Sequence, residues 1–154
     1  MDLDISLAKT PSLLRRIGAL LYDSVLLLGV LMLAVMLVVI PYGLITDASP
    51  YENPIHRMLM QGYLLAVVVG FYAFFWTHGG QTLGMRAWRF RVILDNGKNL
   101  TTRDALRRFG WATVSLLPVG VGLWWCLFDR DGLAWHDRRS GSRLVMLQRP
   151  EKTG

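Results

Sequence analysis

The sequence predicts an all-α integral membrane protein with two transmembrane helices, a Pro/Gly-broken third apolar segment and a small cytoplasmic β-hairpin-like element. Three observations carry that reading. Apolar residues are clumped: residues 17–40 make 24 positions with one charge, Asp23, while residues 58–77 and 109–128 make 20 positions each with none. About 20 apolar residues in a helix, rising ~1.5 Å each, cross the ~30 Å hydrocarbon core of a bilayer. Basic residues lie between these runs, and 16 of the 17 Lys and Arg fall outside both the runs and the loop 46–57. Finally, Pro118, Gly120 and Gly122 interrupt the last run, and a proline there removes a helical hydrogen bond.

The elements follow in order. Residues 1–11 read as a lead, and Ser12 stands where an N-cap belongs. The first helix is expected over about residues 13–40, ending at Pro41-Tyr42-Gly43. Its 24-residue apolar run exceeds the roughly 7–15 residues of a signal-peptide core. Lys9, Arg15 and Arg16 are therefore expected to flank a retained helix. Residues 46–57 hold Asp47, Pro50, Glu52, Asn53 and Pro54 and form a loop with one base, Arg57. The second helix is expected over about residues 55–77, with Gly62 and Gly70 on one face that another helix can approach closely. His78-Gly79-Gly80 ends it.

Residues 88–94 begin with alternating apolar and charged side chains, as a strand does. Asp95-Asn96-Gly97-Lys98 is a turn. Thr101 or Thr102 then caps a helix with Asp104 in its first turn. That helix carries Arg103, Arg107 and Arg108 and turns apolar at Phe109. The arginines suit an interfacial helix on anionic lipid. After the polar stretch 129–143, residues 144–147 form a short strand candidate, followed by a tail, 148–154.

The positive-inside rule places the bases before the first helix, and those between residues 85 and 108, in the cytoplasm. The protein is then a multi-pass inner-membrane protein with a cytoplasmic N-terminus. If the third run crosses, the basic tail lies outside. If its two halves enter and return, with their broken backbone buried in protein, all three basic clusters share one side. The re-entrant arrangement is preferred because it also lets residues 144–147 cover the open edge of strand 88–94.

A net charge of +6 and a pI near 10.0 raise nucleic acid as a partner. Because the bases flank membrane segments, the lipid bilayer, with anionic lipid, is the expected partner instead. Cys126 is the only cysteine, so no intrachain disulfide forms. His56, His78 and His136 stand apart, and neither a metal site nor a cofactor is expected. Among the tryptophans, Trp76, Trp111, Trp124 and Trp125 sit at run ends, as interface anchors do. The absence of a nucleophile–base set argues against an enzyme.

Three places remain for chemistry. Arg16 and Asp23 are seven residues apart, close to two helical turns, so they share a face ~10 Å apart along the axis. An acidic group inside a membrane helix costs about 2.5–3.5 kcal/mol on insertion scales, which requires a partner, a proton or water. It serves either an ion, proton or ligand contact or helix packing. Residues 79–86, Gly79-Gly80-Gln81-Thr82-Leu83-Gly84-Met85-Arg86, form either an anion cradle or, preferably, a structural turn, since the P-loop lysine and spacing are missing. Trp135-His136-Asp137-Arg138-Arg139-Ser140-Gly141-Ser142 reads as a polar turn in which Asp137 bonds backbone or arginine.

In order, these pieces resemble the RDD family, named for an arginine and two aspartates. Arg16-Ile17-Gly18-Ala19-Leu20-Leu21-Tyr22-Asp23 looks like its opening. Gly80-Gln81-Thr82-Leu83-Gly84 looks like its signature after the second helix, and His136-Asp137-Arg138 with Ser140-Gly141-Ser142 like its closing one. The likeness runs over residues 12–147 and makes them one membrane domain. It implies a bacterial or archaeal membrane protein involved in transport, with sodium/proton exchange among some members. It makes Arg16 and Asp23 the first two signature residues and Asp137 the third, with Asp104 in reserve. Gln81, Thr82, Gly84, His136, Arg138 and Gly141 are supporting positions. Met85 stands where the family usually has lysine and Ser142 where it usually has threonine. The expected function is a transport protein or transport subunit for an ion or small solute, acting as a homo-oligomer or with a partner membrane protein. The rival is a non-transporting accessory, assembly or scaffold protein.

Overall fold

The computed structural model describes residues 9–118 and 120–147. The expected tail, residues 148–154, and most of the N-terminal lead lie outside the described residues. Two long helices come first, α1 (Leu13–Thr46) and α2 (Pro54–Thr77). A small lobe follows: α3 (Leu83–Ala87), β1 (Phe90–Leu94), α4 (Thr102–Leu116), α5 (Val121–Trp124) running into a 3-10 turn, α6 (Trp135–Ser140) and β2 (Ser142–Met146).

Both α1 and α2 are long and apolar enough to cross a membrane. They carry large apolar side chains outward, among them Leu21, Val25, Leu28, Leu33 and Leu37 on α1 and Leu59, Leu65 and Phe74 on α2. In water such faces would be unstable; in hydrocarbon they are solvated. The 34 residues of α1 make a rod of about 50 Å, well beyond the core thickness. Contrary to the expected stop, α1 continues through Pro41 and ends at Asp47, whose left-handed backbone (φ 55°) directs its N–H to the Gly43 carbonyl at 2.9 Å. A proline costs one N–H donor, and helices in apolar surroundings absorb that loss where flanking turns stay packed. Here Tyr42 gives such packing, with its hydroxyl 2.9 Å from His56 Nδ1 on α2.

Asn53 caps α2 by accepting the Ile55 N–H at 2.8 Å, with Pro54 at the first helical position, where its missing N–H costs nothing. Ser12 is the N-cap of α1 but makes no side-chain cap bond. Thr101 caps α4 in a reciprocal box with Asp104, as one of the two expected threonines.

The strand pairing expected from sequence is present. β1 and β2 run antiparallel, Phe90 opposite Met146 and Leu94 opposite Ser142. β1 is two residues shorter at its start than the alternating pattern suggested, because Trp88 ends the α3 turn and lays its ring against Gly18 of α1. Phe90, Val92, Leu100, Ala105 and Leu144 form the lobe core together with Ala19 of α1 and Trp76 of α2. The start of α1, the end of α2 and the chain's C-terminal strand thus meet in one body. Trp76 is 5% exposed and is a core residue rather than the interface anchor expected of it; Trp111, Trp124 and Trp125 are exposed. The apolar run after Phe109 is bent, with α4 and Val121–Leu127 meeting at 103° across the Pro118–Gly120 break.

Candidate functional site

Two polar clasps hold the lobe against one face of α1. The first centres on Asp137, at the third position of α6 and 0% exposed. One carboxylate oxygen takes Arg16 Nη1 at 2.8 Å and the Ala134 backbone N–H at 3.0 Å. The other takes Arg108 Nη2 from α4 at 2.7 Å. Both arginines are 2% exposed. Arg16 is fixed further by donating to the Gly132 and Pro11 carbonyls at 2.7 and 3.2 Å, and Arg108 Nη1 donates to the Ser142 hydroxyl. Burying a carboxylate raises its pKa. Here the adjacent Arg108 and Arg16 charges and the Ala134 N–H outweigh burial and hold Asp137 well below the usual carboxylate range. The aspartate is therefore a permanent anion shared by two cations.

The second clasp centres on Asp23, also 2% exposed. Its carboxylate accepts the Thr82 hydroxyl at 2.5 Å and the Gly84 backbone N–H at 2.8 Å. It makes no ion pair among the described residues. Thr82 is the N-cap of α3, and its oxygen also accepts the Met85 N–H at 3.2 Å. Gly84 is required by proximity: a Cβ there would fall on the Ala19 carbonyl and the Asp23 carboxylate. The Gly-rich turn closes on the carboxyl group of a side chain of the same protein. Upstream, Gly80 adopts φ 70° and its carbonyl accepts the Val92 N–H at 2.7 Å.

Between the clasps lies a cavity of about 530 Å³, lined by Arg16, Asp23, Arg108 and His136 and by apolar residues of α1, α2, α4 and the lobe, among them Tyr72, Trp76, Phe109 and Leu116. Burial pushes the His136 pKa down to about 4, so its imidazole is neutral at pH 7. His136 Nδ1 sits 3.2 Å from the Ser115 hydroxyl, and Nε2 lies 3.6 Å from Asp137. That Ser115-His136-Asp137 row has the composition of a hydrolase triad but not its access. Ser115 is 1% exposed and Gly122 packs on its hydroxyl, and Asp137 is occupied by two arginines. A triad serine must reach its substrate.

The RDD family model matches residues 10–141. The chain belongs to the RDD family. Comparison with curated proteins finds no match, and neither does comparison with solved structures.

In this RDD-family chain Arg16, Asp23 and Asp137, the residues expected to form its signature, are not one cluster. Arg16 pairs with Asp137, not with Asp23, although the seven-residue spacing does bring Arg16 and Asp23 to the wall of one cavity. Asp104 stands outside, committed to the Thr101 cap. Thr82 and Gly84 hold Asp23 directly, and Gln81 donates to the Phe90 carbonyl at 2.8 Å, closing the turn on β1. Arg138 points away and pairs with Asp129 and Asp131 at 2.6 and 3.3 Å. Gly141 ends α6 with φ 65°, a conformation that favours glycine.

Sequence reading missed Arg108 as a partner of Asp137 and Ser142 as a partner of Arg108. Arg103 and Arg107 are exposed, as expected of an interfacial helix, but Arg108 turns inward. A signal was available: Arg108 directly precedes an apolar run, as Arg16 does. Ser142 supplies the hydroxyl that accepts from Arg108.

Proposed function

We propose that this chain is a membrane transport protein, or the transport subunit of a larger assembly, for a small ion or solute, with Asp23 as its ion- or proton-contacting group. One observation carries the reading: a buried carboxylate in an apolar helix, held only by neutral donors, borders a cavity that also exposes two arginines. A purely structural carboxylate at that depth is best neutralised by a cation, as Asp137 is. Asp23 has none within 4.0 Å among the described residues and is free to exchange a proton or cation. Family membership supports the same direction. The chain works in the inner membrane with its N-terminus and lobe in the cytoplasm. The lobe's union of the start of α1 with β1 and β2 supports a re-entrant third segment, because the tail returns to the side it left.

The test is proton flux in proteoliposomes under sodium and potassium gradients. Wild-type protein should carry flux above protein-free vesicles, and Asp23→Asn should lower it at least tenfold while eluting as one species and melting normally. Wild-type flux in Asp23→Asn, or none in the wild type, rejects the reading.

A scaffold role has one observation in its favour. Gly62 and Gly70 have nothing packed within 4 Å where a Cβ would stand, leaving a smooth strip on α2 for another helix. Purification in mild detergent combined with the flux assay separates the readings: a stable foreign subunit and no flux with or without it favour the scaffold, flux from a self-oligomer or from the assembly the transporter.

A further inference from the structure

The clasp around Asp137 does not balance its own charge. Arg16 and Arg108 bring two positive charges and Asp137 one negative, so the group carries one surplus positive charge. Asp23 lies on α1 about 10 Å along the axis from Arg16 and is held by Thr82 and Gly84. Arg108 Nε and Trp76 Nε1 are buried without a partner among the described residues, and the Arg108 guanidinium stacks over the Trp76 ring at 5.4 Å. Both side chains line the cavity, as does Arg16. Buried donors in native proteins are almost always satisfied, and guanidinium groups pair carboxylates with particular geometric fit. Away from the arginines the α4–α5 side of the lining is apolar at Phe109, Ala112, Leu116, Leu117 and Leu123, with Thr113 among them, and Asp23 lies on the α1 side. A volume of about 530 Å³ falls within the usual range of small-molecule sites, about 300–1,000 Å³.

We infer that the cavity is a binding site for a hydrophobic monocarboxylate. Its carboxylate sits against the Arg16–Arg108 edge and its hydrocarbon body lies between α4 and α5. With Asp23 protonated, a monoanion matches the surplus of one charge, and the apolar walls reject a fully hydrated inorganic anion, which would lose its water there. The neutral His136 on the same wall adds no competing charge. The inference rests on the transport reading of this site by naming its solute class, and binding is measured separately from flux.

The test uses the full chain in nanodiscs of zwitterionic phosphatidylcholine, with tryptophan fluorescence as readout and octanoate as probe. Octanol serves as the uncharged control and palmitate as the bilayer-derived arm. Octanoate should quench saturably, with at least tenfold weaker response to octanol. Ala112→Phe fills the apolar end of the cavity without touching a charged residue, and should abolish saturable quenching while the protein still melts cooperatively. Palmitate competing with octanoate supports the same site with a lipid source, and palmitate failing to compete supports a soluble organic acid. Equal response to octanol and octanoate, no saturation in folded wild-type protein, or undiminished binding in Ala112→Phe overturns the inference. Flux without octanoate binding would reject the solute class and leave the transport reading intact. Binding without flux would do the reverse.

Discussion

Asp104 and Asp137 occupy the same local position, the third residue of a short or amphipathic helix, and each accepts a backbone N–H at its helix start. Their surroundings separate them. Asp104 lies at the lobe surface and serves one cap, whereas Asp137 is sealed between two guanidinium groups. Removing one partner of a buried pair leaves charge uncompensated, which costs about 3–5 kcal/mol; losing a cap costs about 1 kcal/mol. Asp137→Asn should therefore lower unfolding stability in detergent severalfold more than Asp104→Asn, read by denaturant titration. Equal losses would show that the buried pair is not what holds the lobe. At this scale the sequence reading expected Asp137 to bond backbone or arginine, as it does, but did not name Arg108 or the Thr82 and Gly84 donors on Asp23. Spacing within a helix fixes geometry, so Arg16 and Asp23 were legible as one face. Arg108 and Asp137 are separated by a broken helix, a 3-10 turn and a loop, and residue spacing across those elements fixes no distance.

Elements show the same division. The apolar runs marked α1 and α2 because length and hydropathy are local properties. The antiparallel pairing of β1 with β2 was legible because a half-buried edge strand needs a partner and only one short apolar strand remained. The end of α1 was misplaced because a proline stops helices in water more reliably than in hydrocarbon, where leaving backbone unpaired costs more than one lost bond. The role of α3 was invisible: five residues have no periodicity, and their meaning lies in the clasp on Asp23. Gly84→Ala tests that clasp. The new methyl must separate α3 from α1 or displace the carboxylate, an overpacking cost of about 1–3 kcal/mol. Amide exchange at residue 84 should quicken and the melting temperature should fall. Unchanged exchange would mean the turn is held from β1 alone.

For the whole molecule, the lobe makes sidedness a single question. Because Arg16, α3 and α6 belong to one body, sequence segments that look independent must face the same compartment. In a Cys126→Ser background, Ser49→Cys should react with a membrane-impermeant thiol reagent added to intact cells, whereas Lys98→Cys and Arg130→Cys should react only after the cells are opened. Labelling of Arg130→Cys in intact cells would mean that the third apolar segment crosses. The basic clusters supply the expectation of which side this is, but the union of lobe and helices was not legible, since it depends on contacts between residues more than a hundred positions apart.

The Arg16–Asp137 bond spans 121 residues, and that separation has a consequence for biosynthesis. Ribosomes add about 5–20 residues per second, so α1 waits roughly 6–25 s before its arginine meets the aspartate that neutralises it. During that interval the nascent chain holds an unpaired guanidinium at the membrane surface and an open edge on β1. The last described stretch of the chain closes both together. A chain cut short between Leu94 and Asp137 retains both defects, which distinguishes it from the finished protein for the proteases and chaperones that survey the membrane.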